Sequence, residues 1–203
     1  MNKNLVITGV GGQGNIFSSG LISHYAMNRG FNVLGTETIG AAQRGGSVVS
    51  HIRISTNKIF SPLVPKGQAD ILLGFEPLEM LRCMERLNPK GKYLLNMYTI
   101  PTVMCNMGLD RYPDDEEIIA SLERSGVEGY IIPATQRAYE IGNAILMNVV
   151  MLGALSALDS FFKEKEMKRT LEEIVSQQFS AMNIEAFEEG FSFIEQRRFN
   201  SLV

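Results

Sequence analysis

Leu5-Val6-Ile7-Thr8-Gly9-Val10-Gly11-Gly12-Gln13-Gly14 decides how this chain is read. Residues 5–8 are short, apolar and partly β-branched, as in a buried strand. Gly9-x-Gly11-x-x-Gly14 follows at once, and then a stripe of Phe17, Leu21, Ile22 and Tyr25 at helical spacing over 15–29. Strand, glycine turn and helix in that order can hold a diphosphate. Gly9 permits a tight turn, Gly11 removes a side chain where phosphate oxygens approach, and Gly14 lets helix and strand pack closely. Unpaired N–H groups at the helix start then face the anion. The competing reading is that these glycines only allow a close crossing of chain elements, for instance at a subunit interface.

Gly30 ends the first helix, and a second strand is expected over 31–34, with Glu37 just past it. Glu37 lies 23 residues after Gly14, near the offset of a ribose-binding carboxylate in a dinucleotide domain. It could equally hold Arg44, cap a helix or face solvent. Gln43-Arg44-Gly45-Gly46-Ser47 is a second glycine-rich turn with a guanidinium inside it. A rigid fork in a flexible backbone suits phosphate or carboxylate, from a ligand or from another subunit. Gly9, Gly11, Gly12, Gln13 and Gly14, with Gln43, Arg44, Gly45, Gly46 and Ser47, are therefore the candidate binding residues, expected to lie side by side at the carboxyl end of the first strand.

Residues 47–55 alternate in the manner of a half-buried strand, with Val48, Ile52 and Ile54 on one face and Val49, His51 and Arg53 on the other. His51 and Arg53 either extend the anionic site or belong to a solvated strand face. Residues 59–65 are expected to return beside this strand as a hairpin, making the sheet mixed. Further strands are expected over 69–74, 92–95 and 130–132, with Asn88-Pro89-Lys90-Gly91 as a loop. Pro77 starts one helix and Asp114-Asp115-Glu116-Glu117 opens another, where carboxylates favour the helix dipole. A helical region from Pro133 is broken near Gly142-Asn143, the apolar helix over 144–158 is core, 163–166 is a charged joint, and helices over 168–179 and 184–198 finish the chain. Asp70 reads as a strand-edge hydrogen-bonding group and His24 as structural. The fold expected is a three-layer Rossmann-like α/β domain with a mixed central sheet, helices on both faces and C-terminal helices. The chain reads as one domain over 1–203, with a helical extension from about residue 161.

The chain has 203 residues, with 19 basic against 22 acidic side chains and a formal net charge of -3. That balance points to neither nucleic acid nor a polybasic membrane surface. The longest apolar stretch, 144–158, carries Asn148 and Ser156 and is too short to span a bilayer. The two cysteines, Cys83 and Cys105, form no CxxC and cannot supply four thiolates to a cluster. With two histidines, a His-rich metal centre is excluded. No nucleophile elbow is present, so no catalytic residue is assigned. The expected setting is cytoplasmic, with reduced thiols.

The ordered set of Gly9 to Gly14, Glu37, Ala42 to Arg53, Gly142-Asn143-Ala144 and Asn148 to Ala154 resembles the gamma-type subunits or domains of the 2-oxoacid:ferredoxin oxidoreductases. Within that group it resembles the beta subunits of the indolepyruvate enzymes. After Glu37 the family pattern is more polar than the Thr38-Ile39-Gly40 found here. The resemblance implies a non-autonomous subunit, inactive alone, in an enzyme that decarboxylates a 2-oxoacid oxidatively, passes the acyl group to coenzyme A and gives its electrons to ferredoxin. It implies that this chain holds no cofactor by itself but contacts coenzyme A through the two turns. Thiamine diphosphate and iron–sulfur clusters then belong to a large alpha-type partner, through which ferredoxin is reached; for the isolated chain a homodimer is one state left open. Two alternatives remain open at the level of residues: an independent NAD- or FAD-binding oxidoreductase using Glu37, and a non-catalytic assembly module.

Overall fold

The structure is a computed structural model and describes residues 1–40 and 46–200. Its centre is a six-stranded sheet in the order β2-β3-β1-β4-β5-β6. The strands are β1 (Asn2–Val10), β2 (Asn32–Ile39), β3 (Ser47–Ser55), β4 (Ala69–Gly74), β5 (Leu87–Asn96) and β6 (Glu128–Ile132). β1, β4, β5 and β6 are parallel neighbours, whereas β3 runs antiparallel to both β1 and β2. The sheet is mixed, as expected, but for a different reason.

The hairpin partner of β3 is β2, which comes before it in the chain, not residues 59–65. β2 extends to Ile39 and therefore includes Glu37. β1 already occupies the other edge of β3, and Pro62 and Pro65 offer no N–H to a ladder. Val64 is instead driven into the core while Phe60 is left in solvent. The stretch expected as a loop over 88–91 lies inside β5, where pairing with β4 shifts between Ala69 and Ile71. Such an irregularity absorbs Pro89 without breaking the strand.

Alternation along the strands builds two cores. Leu5, Ile7, Ile71, Leu73 and Leu94 face one side, where α1 (Asn15–Asn28), α5 (Ala134–Ile141), α6 (Met147–Leu158), α7 (Glu164–Ile174) and α8 (Gln177–Asn200) cover them. Val6, Leu72, Tyr93 and Leu95 face the other, beneath α2 (Pro77–Cys83) and α4 (Asp115–Arg124). A short helix, α3 (Val103–Asn106), lies in the β5–α4 connection.

Chain signals at the helix ends match their geometry. Gly30 and Gly126 adopt left-handed conformations after α1 and α4. Asp114 and Glu117 form a reciprocal capping box on α4. Gly142 terminates α5 at φ 118°, and Asn143 caps the single 3-10 turn that leads into α6. Every residue of α6 is buried. The expected charged joint is the first turn of α7, where Glu164 and Glu166 complement the helix dipole. α8 starts earlier than its apolar pattern suggested and sends Ala186, Phe187 and Ile194 into the larger core.

Candidate functional site

The first glycine-rich turn leaves β1 at the carboxyl end of the parallel strands, the edge where open α/β sheets bind ligands. Gly12 and Gly14 adopt φ of 100° and 85°, conformations that L side chains rarely take. A Cβ at Gly9 would come within 2.6 Å of the Gln13 side chain and 3.0 Å of Phe75. Gln13 folds back inside the turn: its Oε1 accepts from the Val10 N–H at 2.8 Å and its Nε2 donates to the Phe75 carbonyl at 2.9 Å. The amide thus braces β1 against the end of β4.

The two glycine-rich segments meet directly. The Gly11 N–H donates to the Gly46 carbonyl at 2.9 Å, and Gly40 N–H donates to the Ser47 carbonyl at 2.8 Å. Val10 and Ser47 are register partners at the last rung of β1 and β3. Gln43, Arg44 and Gly45 lie outside the described residues. Ser47 donates its hydroxyl to Glu79 Oε2 at 2.5 Å, and Arg82 donates to Glu79 Oε1 at the same distance. Glu79 is only 3% exposed, so this carboxylate stays buried because both oxygens are satisfied. The Glu79 carbonyl also accepts from the Thr8 hydroxyl at 3.2 Å. Nothing in the local sequence distinguished Glu79 from other helix-face acids; only the meeting of α2 with β3 does so.

α1 begins on Gly14, with no side-chain cap and no acid in its first turn. Its first free N–H groups are therefore available to an anion. Asn15 donates to the Val48 carbonyl at 3.1 Å, while its buried Oδ1 has no partner among the described residues. Gly14 does not serve helix–strand packing as the sequence suggested. A Cβ there would stand 1.9 Å from Asn148 Nδ2, so the glycine admits α6 instead.

Glu37 accepts a 2.7 Å hydrogen bond from the Ser19 hydroxyl of α1. In a dinucleotide domain the ribose-binding acid follows the strand beside β1. Here β3 stands between β2 and β1 and moves Glu37 one strand outward. His51 and Arg53 do not extend the site. His51 sits opposite Val6 and Arg53 opposite Asn4, toward the far end of β1. His51 is not on a solvated face either: it is 2% exposed and its Nδ1 accepts from Val64 N–H at 3.4 Å. Burial, aided by the Arg86 charge, pushes its pKa down to about 4. Arg53 is tied to Asn4 and to the Ser61 carbonyl. Asp70 accepts from the Asn4 N–H at 2.8 Å, in the strand-edge role expected of it.

Behind the turns lies a second polar cluster. Glu76 caps α2 by accepting from Glu79 N–H at 2.9 Å and also receives the Tyr112 hydroxyl. Burial, followed by that carboxylate, holds the Tyr112 pKa well above its ordinary value. Asn96, fully buried, bridges the Phe75 carbonyl and Thr135 at 2.9 Å each. Among the described residues no group of three or more His, Cys, Asp or Glu side chains could hold a metal ion. No described helix is long and apolar enough to cross a membrane.

Residues 4–193 match the pyruvate ferredoxin/flavodoxin oxidoreductase family. The chain belongs to that family. It is 35% identical over 193 residues to the indolepyruvate oxidoreductase subunit IorB of Archaeoglobus fulgidus, covering 95% of each chain. To the subunit of the same name from Methanothermobacter thermautotrophicus it is 37% identical, over 94% of this chain and 97% of that one. Among solved structures, the 2-oxoglutarate:ferredoxin oxidoreductase of Magnetococcus marinus, with 2-oxoglutarate, coenzyme A and succinyl-CoA bound, matches with a TM-score of 0.75 at 24% identity. That match covers 96% of this chain but 31% of the larger one, so this fold is also found as one part of a longer polypeptide. The gamma subunit of a keto/oxoacid ferredoxin oxidoreductase from Geobacter sulfurreducens matches over 99% of its length, with a TM-score of 0.70 at 21% identity. Both likenesses place the mixed sheet and its two helical layers within the family fold.

Proposed function

We propose that this chain is the small, non-autonomous subunit of a 2-oxoacid:ferredoxin oxidoreductase of the indolepyruvate, or arylpyruvate, type. A large alpha-type partner then holds thiamine diphosphate and the iron–sulfur clusters, and ferredoxin takes electrons from the complex. This chain contributes a phosphate-facing surface for coenzyme A at the joined glycine-rich turns. The observation that supports the reading is the Gly11–Gly46 contact, which joins the two glycine-rich segments where β1 ends. The choice of an arylpyruvate enzyme is supported by full-length similarity to two IorB subunits. The displacement of Glu37 behind β3 disfavours an independent NAD or FAD enzyme.

Reconstitution tests the whole reading. The purified chain alone should show no turnover, and co-expression with the large subunit should give arylpyruvate- and coenzyme A-dependent ferredoxin reduction. Equal ferredoxin reduction by the large subunit without this chain would overturn the proposal. Arg44→Lys separates ligand contact from assembly, because it keeps the charge but loses the planar fork. Loss of one charged hydrogen bond, about 1.5–3 kcal/mol, weakens the served interaction by roughly ten- to a hundredfold. A rise in the apparent coenzyme A constant with unchanged subunit affinity assigns Arg44 to the coenzyme. The opposite pattern assigns it to the interface and supports an assembly role for the second turn.

A further inference from the structure

Gly11 turns toward the second glycine-rich segment, but Gly14 borders a different space. A cavity of about 480 Å³ opens there between α1, α6 and α8. Phe17, Leu146, Val149, Val175, Phe179 and Met182 make its walls, and no charged side chain lines it among the described residues. Asn143 and Asn183 also line it, but they are engaged with the Ile145 N–H and the Phe179 carbonyl; two features remain for a ligand. One is the uncapped start of α1, fourteen residues long, whose positive dipole end carries no acid to offset it. The other is Asn148, which lines the cavity, is 5% exposed and has no hydrogen-bond partner among the described residues. Its amide is not among the fully enclosed side-chain atoms that lack a partner, so it is open to a group entering the cavity.

From these features we propose that the cavity binds a small apolar monocarboxylate, at a place separate from the coenzyme A contact. The helix start and the Asn148 amide meet the carboxylate, while the phenylalanine and methionine walls take the apolar body. With no lysine or arginine among the described lining residues, a single negative charge suits the site better than a phosphate. The assignment does not depend on the enzyme reading above.

Calorimetric titration of the full chain with 3-phenylpropanoate tests it, against 3-phenylpropan-1-ol and 3-phenylpropylamine as neutral and cationic counterparts. The carboxylate should bind saturably and at least about tenfold more tightly than either. Asn148→Asp keeps the side-chain shape but sets a like charge at the helix start, and should weaken binding about tenfold or more. Phe179→Glu does the same at the rim, where Phe179 is 52% exposed and its replacement leaves the core intact. No saturable binding, equal affinity for the alcohol, or unchanged affinity in Phe179→Glu overturns the proposal. Displacement of the probe by coenzyme A would merge the cavity with the coenzyme contact and overturn its separateness.

Discussion

At the scale of single residues, burial separates side chains that look alike in sequence. His51 and Arg53 share one face of β3, yet one is packed and neutral while the other reaches surface carbonyls. The His51 environment carries a pH consequence. Its folded pKa of about 4 lies below the unfolded value of about 6.5, so between these pH values only the unfolded chain takes up the proton. The stability is complete above about pH 6.5 and declines as pH falls toward 4, by up to about 3 kcal/mol. Urea unfolding at pH 7 and pH 5 should show a smaller pH difference in His51→Gln than in the parent; an equal difference would refute the assignment. Glu79 offers a companion test. Removing it in Glu79→Ala strips Ser47 and Arg82 of their acceptor and should cost about 1–3 kcal/mol, read as a lowered unfolding midpoint. Gln13 and Glu79 show why sequence yields candidate positions more readily than roles. Gln13 sits in the turn motif but braces the backbone, and Glu79 sits on an ordinary helix pattern but holds Ser47 where β3 begins.

At the scale of elements, periodicity revealed most helices and strands because each buries one face. Leu5, Ile7 and Val6 alternate between two cores, and the capping box of α4 announces its first turn. Pairing was not legible to the same degree. β2 and β3 each look like a strand, but nothing local says that β3 inserts between β2 and β1, or that Pro62 and Pro65 lie outside the sheet. Close helix contact was equally hidden. A Cβ at Gly153 would stand 1.9 Å from the Phe187 carbonyl oxygen, and one at Gly190 1.8 Å from that of Val150. These glycines set the spacing between α6 and α8, where backbone rather than flexible side chain blocks any addition. Gly153→Ala gains helix propensity of roughly 1 kcal/mol, yet overpacking of about 1–3 kcal/mol should win. A net fall in thermal midpoint is expected for Gly153→Ala and for Gly190→Ala. A rise in either would show that the helices separate at little cost.

At the scale of the whole molecule, apolar exposure is uneven. The β5–α4 connection leaves Val103, Met104, Met107 and Leu109 between 51% and 65% exposed. The same segment reaches the joined turns: Ile100, Thr102, Val103 and Met104 line a space of about 280 Å³ with Val10 and Ser47. Scattered apolar side chains need no partner, but four within seven residues beside the joined turns form a patch. Flexible methionines suit such a surface, because they fit an opposing face with few packing constraints. If the large subunit completes the site at this edge, it must cover the patch as it approaches the turns. Hydrogen exchange over 98–110 should therefore slow when the complex forms, together with exchange at 11–14. Val103→Asp, an exposed change with little reach into the core, should weaken subunit association while leaving the thermal midpoint of the isolated chain nearly unchanged. Protection confined to α7 and α8, with 98–110 exchanging as before, would place the partner against the opposite side of the sheet and separate the apolar patch from assembly.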